Sequence, residues 1–327
     1  MRQRVLTDNA KRYFFQKRMR RLRVAVIILL IVVIVLVGAF CPYEKLLPAY
    51  NIPARLAGEL RVHFLSVGEG DCTVVEFPDG AIVVIDAGGG GFYHTAAAVR
   101  YIKGLAARSV SYVVTHADSD HYGGMLKLIS SCGADALYLP VLDGESAYYK
   151  KLLSFAANAS IPVKRLSRYA TFLNASGAYM VCLSPYSAGE TDENDSSAVL
   201  YLAYGGVRFL FCADITAVRE RRLLRDYALD RHIFDSGDCS VRLEGIDFLK
   251  VSHHGSAYSS CEEWLGLLSP VNAVITSGAG NRYHHPALQA AARLSAAGAR
   301  VFRTDELGSF AVSVIDGAYS VNTDRRS

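Results

Sequence analysis

None of the seven cysteines (Cys41, Cys72, Cys132, Cys182, Cys212, Cys239 and Cys261) forms a Cys-x-x-Cys pair, which excludes a zinc ribbon. The one long glycine run, Gly88-Gly89-Gly90-Gly91, is not followed by Lys-Ser or Lys-Thr. A nucleotide-binding phosphate loop is therefore excluded as well. The body of the chain also lacks a basic excess. Nine of the 35 Lys and Arg residues fall within residues 1–23 against the single acid Asp8, leaving 26 basic and 30 acidic residues beyond. The overall charge of +4 belongs to the amino terminus, and composition offers no basic stripe to track phosphates. Long polar stretches are absent too. With 51% hydrophobic residues over 327 positions, a sizeable core is available and extensive disorder is excluded.

One apolar run stands out. Val24 to Phe40 contains no polar side chain over 17 residues, about 26 Å at helical rise and the short end of a bilayer span. The basic flank predicts that residues 1–23 stay cytoplasmic and that the remainder faces outward. Gly38-Ala39-Phe40 lacks the small-x-small ending of a cleaved signal, so the expectation is a single-pass plasma-membrane anchor. The predicted organisation is a basic tail (1–23), a transmembrane helix (24–40), a proline-bearing linker (41–58), a hydrolase domain (59–317) and a short tail (318–327). Within the domain, strands and helices alternate. An early hairpin turns at Pro78-Asp79-Gly80 and a later one at Gly205-Gly206. This reads as a layered α/β domain built in two halves.

The chemistry concentrates in Thr115-His116-Ala117-Asp118-Ser119-Asp120-His121, with two imidazoles and two carboxylates within six residues. It lies between a strand-like run, Val110 to Val114, and a helical pattern from Tyr122 to Ser131. Imidazole and carboxylate both present lone pairs to a divalent cation. One aspartate could instead cap the following helix, but that accounts for neither histidine. Three further strand-like runs end in polar loops: Asp214 after Arg208 to Ala213, His253-His254-Gly255-Ser256 after Phe248 to Val251, and His284-His285-Pro286 after Ala273 to Thr276. Taken together they predict a metal-centred rim at strand ends. His63, His94 and His232 lack that setting and read as structural or surface residues.

These segments, together with Val62 to Asp71, Ile85-Asp86-Ala87-Gly88-Gly89, Asn194-Asp195-Ser196-Ser197, Leu249 to Ser256 and Asn281 to Pro286, resemble the metallo-β-lactamase fold superfamily. The branch they resemble most is the outer hydrolase domain of ComEC-type DNA-uptake proteins. The resemblance implies a four-layer αββα sandwich. It implies that His116 and Asp118 bind one metal, that Asp120 and His121 bind another, and that Asp214 bridges them, with His254 completing the second site and His285 flanking it. Asp120, His254, Lys250 and His285 become the catalytic candidates, and Asp86, Asn194, Ser197, His253 and His284 the supporting ones. Asp118 stands where the superfamily usually has a second histidine, and Asn194 and Ser197 replace a mid-chain histidine ligand. That harder donor set favours Mn²⁺, with Zn²⁺ as the alternative, for one or two divalent ions. Ser66 and Glu69 also depart from the branch.

The expected function is a membrane-anchored, extracytoplasmic, metal-dependent phosphodiesterase or nuclease acting on single-stranded DNA or a small phosphodiester. A separate membrane channel would be its partner, because the chain has no multi-helix channel region. The alternatives are hydrolysis of a small ester, lactone or nucleotide, and a degenerate, non-catalytic binding domain.

Overall fold

The computed structural model describes residues 2–40, 52–140, 147–184, 194–229 and 239–323; the side chains of residues 2–12, 14, 34–40 and 148 are outside that description. The chain divides into two units, residues 1–50 and 51–327. The first holds one helix, α1 (Arg2–Phe40), so the expected basic tail is helical and continuous with the apolar run. Among the described residues no helix is long and apolar enough to cross a membrane. The expected 24–40 span extends into 34–40, whose side chains are not described.

The second unit is built on two sheets. Along the chain, the first sheet contributes β1 (Leu60–Phe64), β2 (Thr73–Glu76), β3 (Ala81–Ile85), β4 (Ser109–Val113), β5 (Ala136–Leu139) and β6 (Val163–Arg165). The second contributes β7 (Thr171–Ala175), β8 (Ala178–Cys182), β9 (Leu200–Tyr204), β10 (Val207–Phe211), β11 (Phe248–Lys250), β12 (Asn272–Ile275) and β13 (Arg300–Arg303). The chain then returns with β14 (Phe310–Ile315) and β15 (Ala318–Thr323). The sheet orders are β15-β14-β1-β2-β3-β4-β5-β6 and β13-β12-β11-β10-β9-β8-β7. Residues 318–323, expected to be part of a tail, are therefore an edge strand antiparallel to β14. Each sheet has an antiparallel part and a parallel part. The change comes at β3, antiparallel to β2 and parallel to β4, and at β10, antiparallel to β9 and parallel to β11. The loops that follow those two strands carry Asp86 and Asp214.

Side-chain parity explains the layering. Phe64, Val75, Phe209, Phe211, Phe248 and Phe310 belong to one buried cluster between the sheets, with Phe209 stacked on Phe248 at 5.0 Å. Residues of opposite parity, such as Leu210 and Leu249, join a second cluster with Leu223, Trp264 and Leu294. These last three come from α6 (Ala217–Leu229), α7 (Glu262–Leu268) and α8 (Leu288–Ala296). On the far side of the first sheet α2 (Phe92–Gly104) meets α4 (Met125–Cys132), and the α2 residue Tyr101 hydrogen-bonds His63 Nδ1 at 3.0 Å. Strands covered on both faces need side chains that are apolar at both parities, as β10 shows. The expected αββα sandwich is present.

The helix expected over Tyr122 to Ser131 is broken. A single turn, α3 (Ser119–Tyr122), is followed by Gly123-Gly124 and only then by α4. A Cβ at Gly124 would stand 2.3 Å from the Ala87 carbonyl oxygen, so close backbone approach to the 87–89 loop dictates glycine here. α5 (Ala147–Asn158) and α9 (Thr304–Leu307) complete the helices described.

Phe209 is fully buried between the sheets. Phe209→Ala should therefore cost about 3–5 kcal/mol, read as a lowered midpoint in urea unfolding with no change in slope.

Candidate metal centre

Every loop of the site leaves the same edge of the sandwich. β4 delivers Thr115, His116 and, through the α3 turn, Asp120 and His121; β10 delivers Asp214, β11 delivers His253 and His254, and β12 delivers Thr276. The backbone is forced to do this. Asp86, Ala213, His253, His254 and His284 all have positive φ, between 46° and 60°, the left-handed region that side chains other than glycine avoid. Each such residue costs about 1–3 kcal/mol and persists where surrounding structure enforces it.

Hydrogen bonding fixes the imidazole tautomers. The Asp86 carboxylate accepts from Thr115 N at 2.8 Å, from Thr115 Oγ1 at 2.7 Å and from His121 Nδ1 at 2.7 Å. Because Thr115 Oγ1 donates its only proton to Asp86, it must accept from His116 Nδ1, 3.0 Å away. His254 Nδ1 faces the Thr276 carbonyl oxygen at 2.8 Å and must donate to it. All three Nδ1 atoms are thus donors, so Nε2 is the nitrogen on which each ring, once neutral, carries its lone pair. Those Nε2 atoms and Asp214 Oδ1 are buried and have no hydrogen-bond partner.

The lone pairs converge. Donor atoms of His116, His121 and Asp214 lie within 4.8 Å of one another, and so do those of Asp120, His121 and His254. His121 Nε2 is 3.2 Å from Asp214 Oδ1, while His254 Nε2 is 3.4 Å from Asp214 Oδ2 and 3.5 Å from Asp120 Oδ2. With the rings neutral, buried acceptors face one another here, which is costly unless a proton or a cation sits among them. The donor sets fit divalent cations: His116, His121 and Asp214 form one group that would hold an ion, Asp120, His121 and His254 another, with Asp86, Thr115 and the Thr276 carbonyl orienting the rings.

Electrostatics agree. Burial works against charge on Asp214, yet His254 and His121 hold its carboxyl well below the usual carboxylate range. Asp120 is likewise brought to about 2, against the cost of burial, by His254 and His121. Burial opposes protonation of His121 and His254, but Asp214 with Asp86 raises the first well above normal, and Asp214 with Asp71 the second. His116 moves the other way, to about 3, through burial and its neighbour His121.

Several expected residues take other roles. Asp118 belongs to none of the ligand groups; its Oδ1 accepts from Ser119 N at 2.6 Å and caps α3. Lys250, expected as a catalytic residue, is 2% exposed and is not among the residues that line the opening beside Asp120 and His254. It is ion-paired with Asp71 and donates to the Ala213 carbonyl oxygen at 3.4 Å, so its charge braces the loop that carries Asp214. His253 Nε2 lies 3.7 Å from Asp214 Oδ2 at the margin of the cluster. His285 shares a small opening with Asp120 and His254, whereas His284 is exposed. Asn194 and Ser197 flank the site, since Ala198 N bonds the Thr115 carbonyl at 2.8 Å.

Asp71 is the residue that reasoning from sequence left without a role. It accepts from Thr276 Oγ1, pairs with Lys250 and lies 3.3 Å from His254 Nδ1. Burial works against ionisation, but Lys250 and His254 hold its carboxyl far below normal. The available signal was an acid directly after Gly68-Glu69-Gly70. A Cβ at Gly70 would lie 1.8 Å from the Asp120 carbonyl oxygen, so that glycine lets Asp71 lie against the ligand loop.

A family model described as the Metallo-beta-lactamase superfamily matches residues 65–278. Among curated proteins the chain is 27% identical over 270 residues to ComE operon protein 3 of Bacillus subtilis (strain 168), covering 78% of this chain and 33% of the relative. It is 26% identical over 197 residues to competence protein ComA of Neisseria gonorrhoeae, covering 60% and 24%. The chain thus spans a third or less of these relatives. Among solved structures, CmlA, a diiron beta-hydroxylase from Streptomyces venezuelae, is similar with a TM-score of 0.49 at 12% identity, covering 76% of this chain and 53% of that one. Zn²⁺-bound PqqB from Methylobacterium extorquens has a TM-score of 0.45 at 14% identity, covering 74% and 97%.

Two outcomes are expected. Asp214→Asn should lower divalent-cation affinity more than about 100-fold, whereas Asp118→Asn, which preserves a cap, should change it only a few-fold, as read by calorimetric titration. Cation binding near neutral pH should also release protons, because His121 and His254 hold them more tightly than free histidine and a cation needs the same Nε2 lone pairs. Affinity should fall as pH falls, and binding heats should vary with the ionisation enthalpy of the buffer.

Proposed function

The chain belongs to the metallo-beta-lactamase superfamily, and from that premise we propose that it is a metal-dependent hydrolase that cleaves phosphodiester bonds, with single-stranded DNA as substrate. The observation that carries this reading is the convergence of three Nε2 atoms, each on a ring held through Nδ1, on Asp214 and Asp120. A divalent cation held there supplies Lewis acidity toward a phosphoryl oxygen and lowers the pKa of water. Asp120 and Asp214 are held well ionised by their imidazole neighbours, so both carboxylates are ready to receive a cation that displaces the ring protons. The softness of the set is intermediate, three imidazoles and two carboxylates, which is compatible with Mn²⁺ and with Zn²⁺.

The chain's own residues supply the rest. Asp86 and Thr115 prevent the rings of His116 and His121 from turning, so their Nε2 atoms stay aimed inward. His285 sits at the opening beside Asp120 and His254. Burial, then the charge of His254 and His253, lowers its proton affinity, so at neutral pH it is neutral and able to accept a proton from an attacking water. Its backbone is clamped by Asn281, whose amide donates to the His285 carbonyl at 2.7 Å and whose carbonyl accepts from His285 N at 2.9 Å.

The opening bears on substrate size. It has a cavity volume of only about 10 Å³, far below the several hundred Å³ that usually enclose a small molecule. A polymer laid across the edge, with one phosphate at the opening, fits better than an engulfed ester or lactone. The competence proteins that the chain resembles support DNA as that polymer. We assign the apolar run 24–40 to a membrane anchor placing the hydrolase domain outside the cytoplasm, with a separate channel protein as partner, supported by the basic flank at 1–23.

The full chain should cleave single-stranded DNA when supplied with Mn²⁺, and the Asp120→Ala, Asp214→Ala double variant should be at least about 1,000-fold slower, as each change removes a ligand of the reacting centre. Equal rates in the two proteins, or cleavage of chromogenic carboxylic esters in preference to DNA, would overturn the assignment.

A further inference from the structure

Exposed aromatic rings are unevenly distributed. In the second unit the strongly exposed ones among the described residues are Phe92, Tyr93, Tyr258, Tyr283 and Tyr319. Four of the five sit on the ligand-bearing edge. Phe92 and Tyr93 follow the Asp86 loop, Tyr258 lies four residues past His254, and Tyr283 two residues before His285. Folding gains nothing by leaving large rings in water at one edge, and such a grouping marks a surface that meets something.

Contacts join part of this set into a continuous arc around the opening. The ring centroids of Tyr93 and His94 are 5.8 Å apart. The His94 ring lies against Gly68, where a Cβ would be 3.0 Å from it. The next residue, Glu69, lines the opening and is 3.4 Å from Arg282 Nε. The Arg282 guanidinium lies 4.6 Å from the centroid of the Tyr283 ring. That ring is nearly parallel to His285, with centroids 5.9 Å apart and planes 21° apart. Tyr93 is 60% and Tyr283 54% exposed.

We propose that this arc, Tyr93 on one flank and Arg282 with Tyr283 on the other, is a stacking platform for unpaired nucleobases that seats a single strand with one phosphate at the metal opening. The proposal rests on the phosphodiesterase reading above and adds the recognition element. Planar aromatic and guanidinium surfaces stack on every base, which gives sequence-tolerant binding to single strands. A duplex keeps its base faces stacked inside and offers none to the platform. The outer domain carries no basic excess, so phosphate attraction is a weak source of affinity and stacking becomes the larger one. The Arg282–Glu69 pair is exposed and contributes little, which leaves the guanidinium able to exchange partners.

The test separates binding from cleavage. Fluorescence anisotropy with the full chain and Ca²⁺ would compare a thymidine oligonucleotide, an abasic phosphodiester of equal length and a duplex, at moderate salt. The thymidine strand should bind about 5- to 100-fold tighter than the abasic one, the range for one stacked base, and the duplex should resemble the abasic strand. Tyr283→Ala and Tyr93→Ala should each shrink that ratio while metal content stays unchanged, and Tyr283→Phe should restore it. An abasic strand bound as tightly as the thymidine strand, or a ratio unmoved in both metal-loaded alanine variants, would overturn the platform. Cleavage with Mn²⁺ reports independently. Base-insensitive binding with intact cleavage removes only the platform, and base-dependent binding without cleavage of any phosphodiester removes only the hydrolase reading.

Discussion

The site depends on one carboxylate that points away from its centre. Asp86 is fully buried, and burial raises its pKa in spite of His121. Its cluster of three accepted hydrogen bonds fixes the Thr115 hydroxyl, and through it His116, as well as His121 directly. Neutral imidazole can present a lone pair on either nitrogen, and with Nδ1 held, Nε2 is the one available. A single buried acid therefore decides the direction in which two rings offer electrons. The Thr276 carbonyl does the same for His254 from the other sheet.

A second set of buried charges steadies the frame. Lys250 and Asp71 are both almost inaccessible and paired, and the two join β11, the β1–β2 connection and, through the Ala213 carbonyl, the turn before Asp214. An isolated charge at either position would be expensive, and the pair is tolerable because each also finds hydrogen bonds. On the outside of the second sheet Glu220 of α6 plays a similar part, accepting from Ser252 Oγ at 2.7 Å and from Ser260 N and Cys261 N at 2.7 and 2.8 Å. It ties down the loop in which His253 and His254 take two successive left-handed conformations.

Much of this was legible in the residue order, and the reasons for the rest are specific. Apolar runs located β4, β10, β11 and β12, and turn residues the β2–β3 and β9–β10 hairpins, because strands buried on two faces leave a strong signal. The imidazole and carboxylate density at 116–121, and lone polar loops after strands, pointed to His116, Asp120, His121, Asp214 and His254. The resemblance implies a ligand role for Asp118, and spacing does not show which of two alternating acids turns inward; the backbone at φ −92°, ψ 145° places this one as the cap of α3. Asp71 carried no periodic or cluster signal; its partner Lys250 is remote in sequence, and only the fold brings them together. The edge strand 318–323 is polar and largely exposed, so it lacks the alternation that would separate it from a loose end.

Three of the five inward-facing donors, His116, Asp120 and His121, are carried by the first sheet, and the other two, Asp214 and His254, by the second. The gap they enclose is consequently set by how thick the aromatic filling of the sandwich is, with Phe64 against Phe211 at 6.4 Å acting as a spacer between the sheets. Coordination distances tolerate only about ±0.2 Å. The separation of the two donor groups is accordingly gauged by side-chain volumes in the oily layer between the sheets.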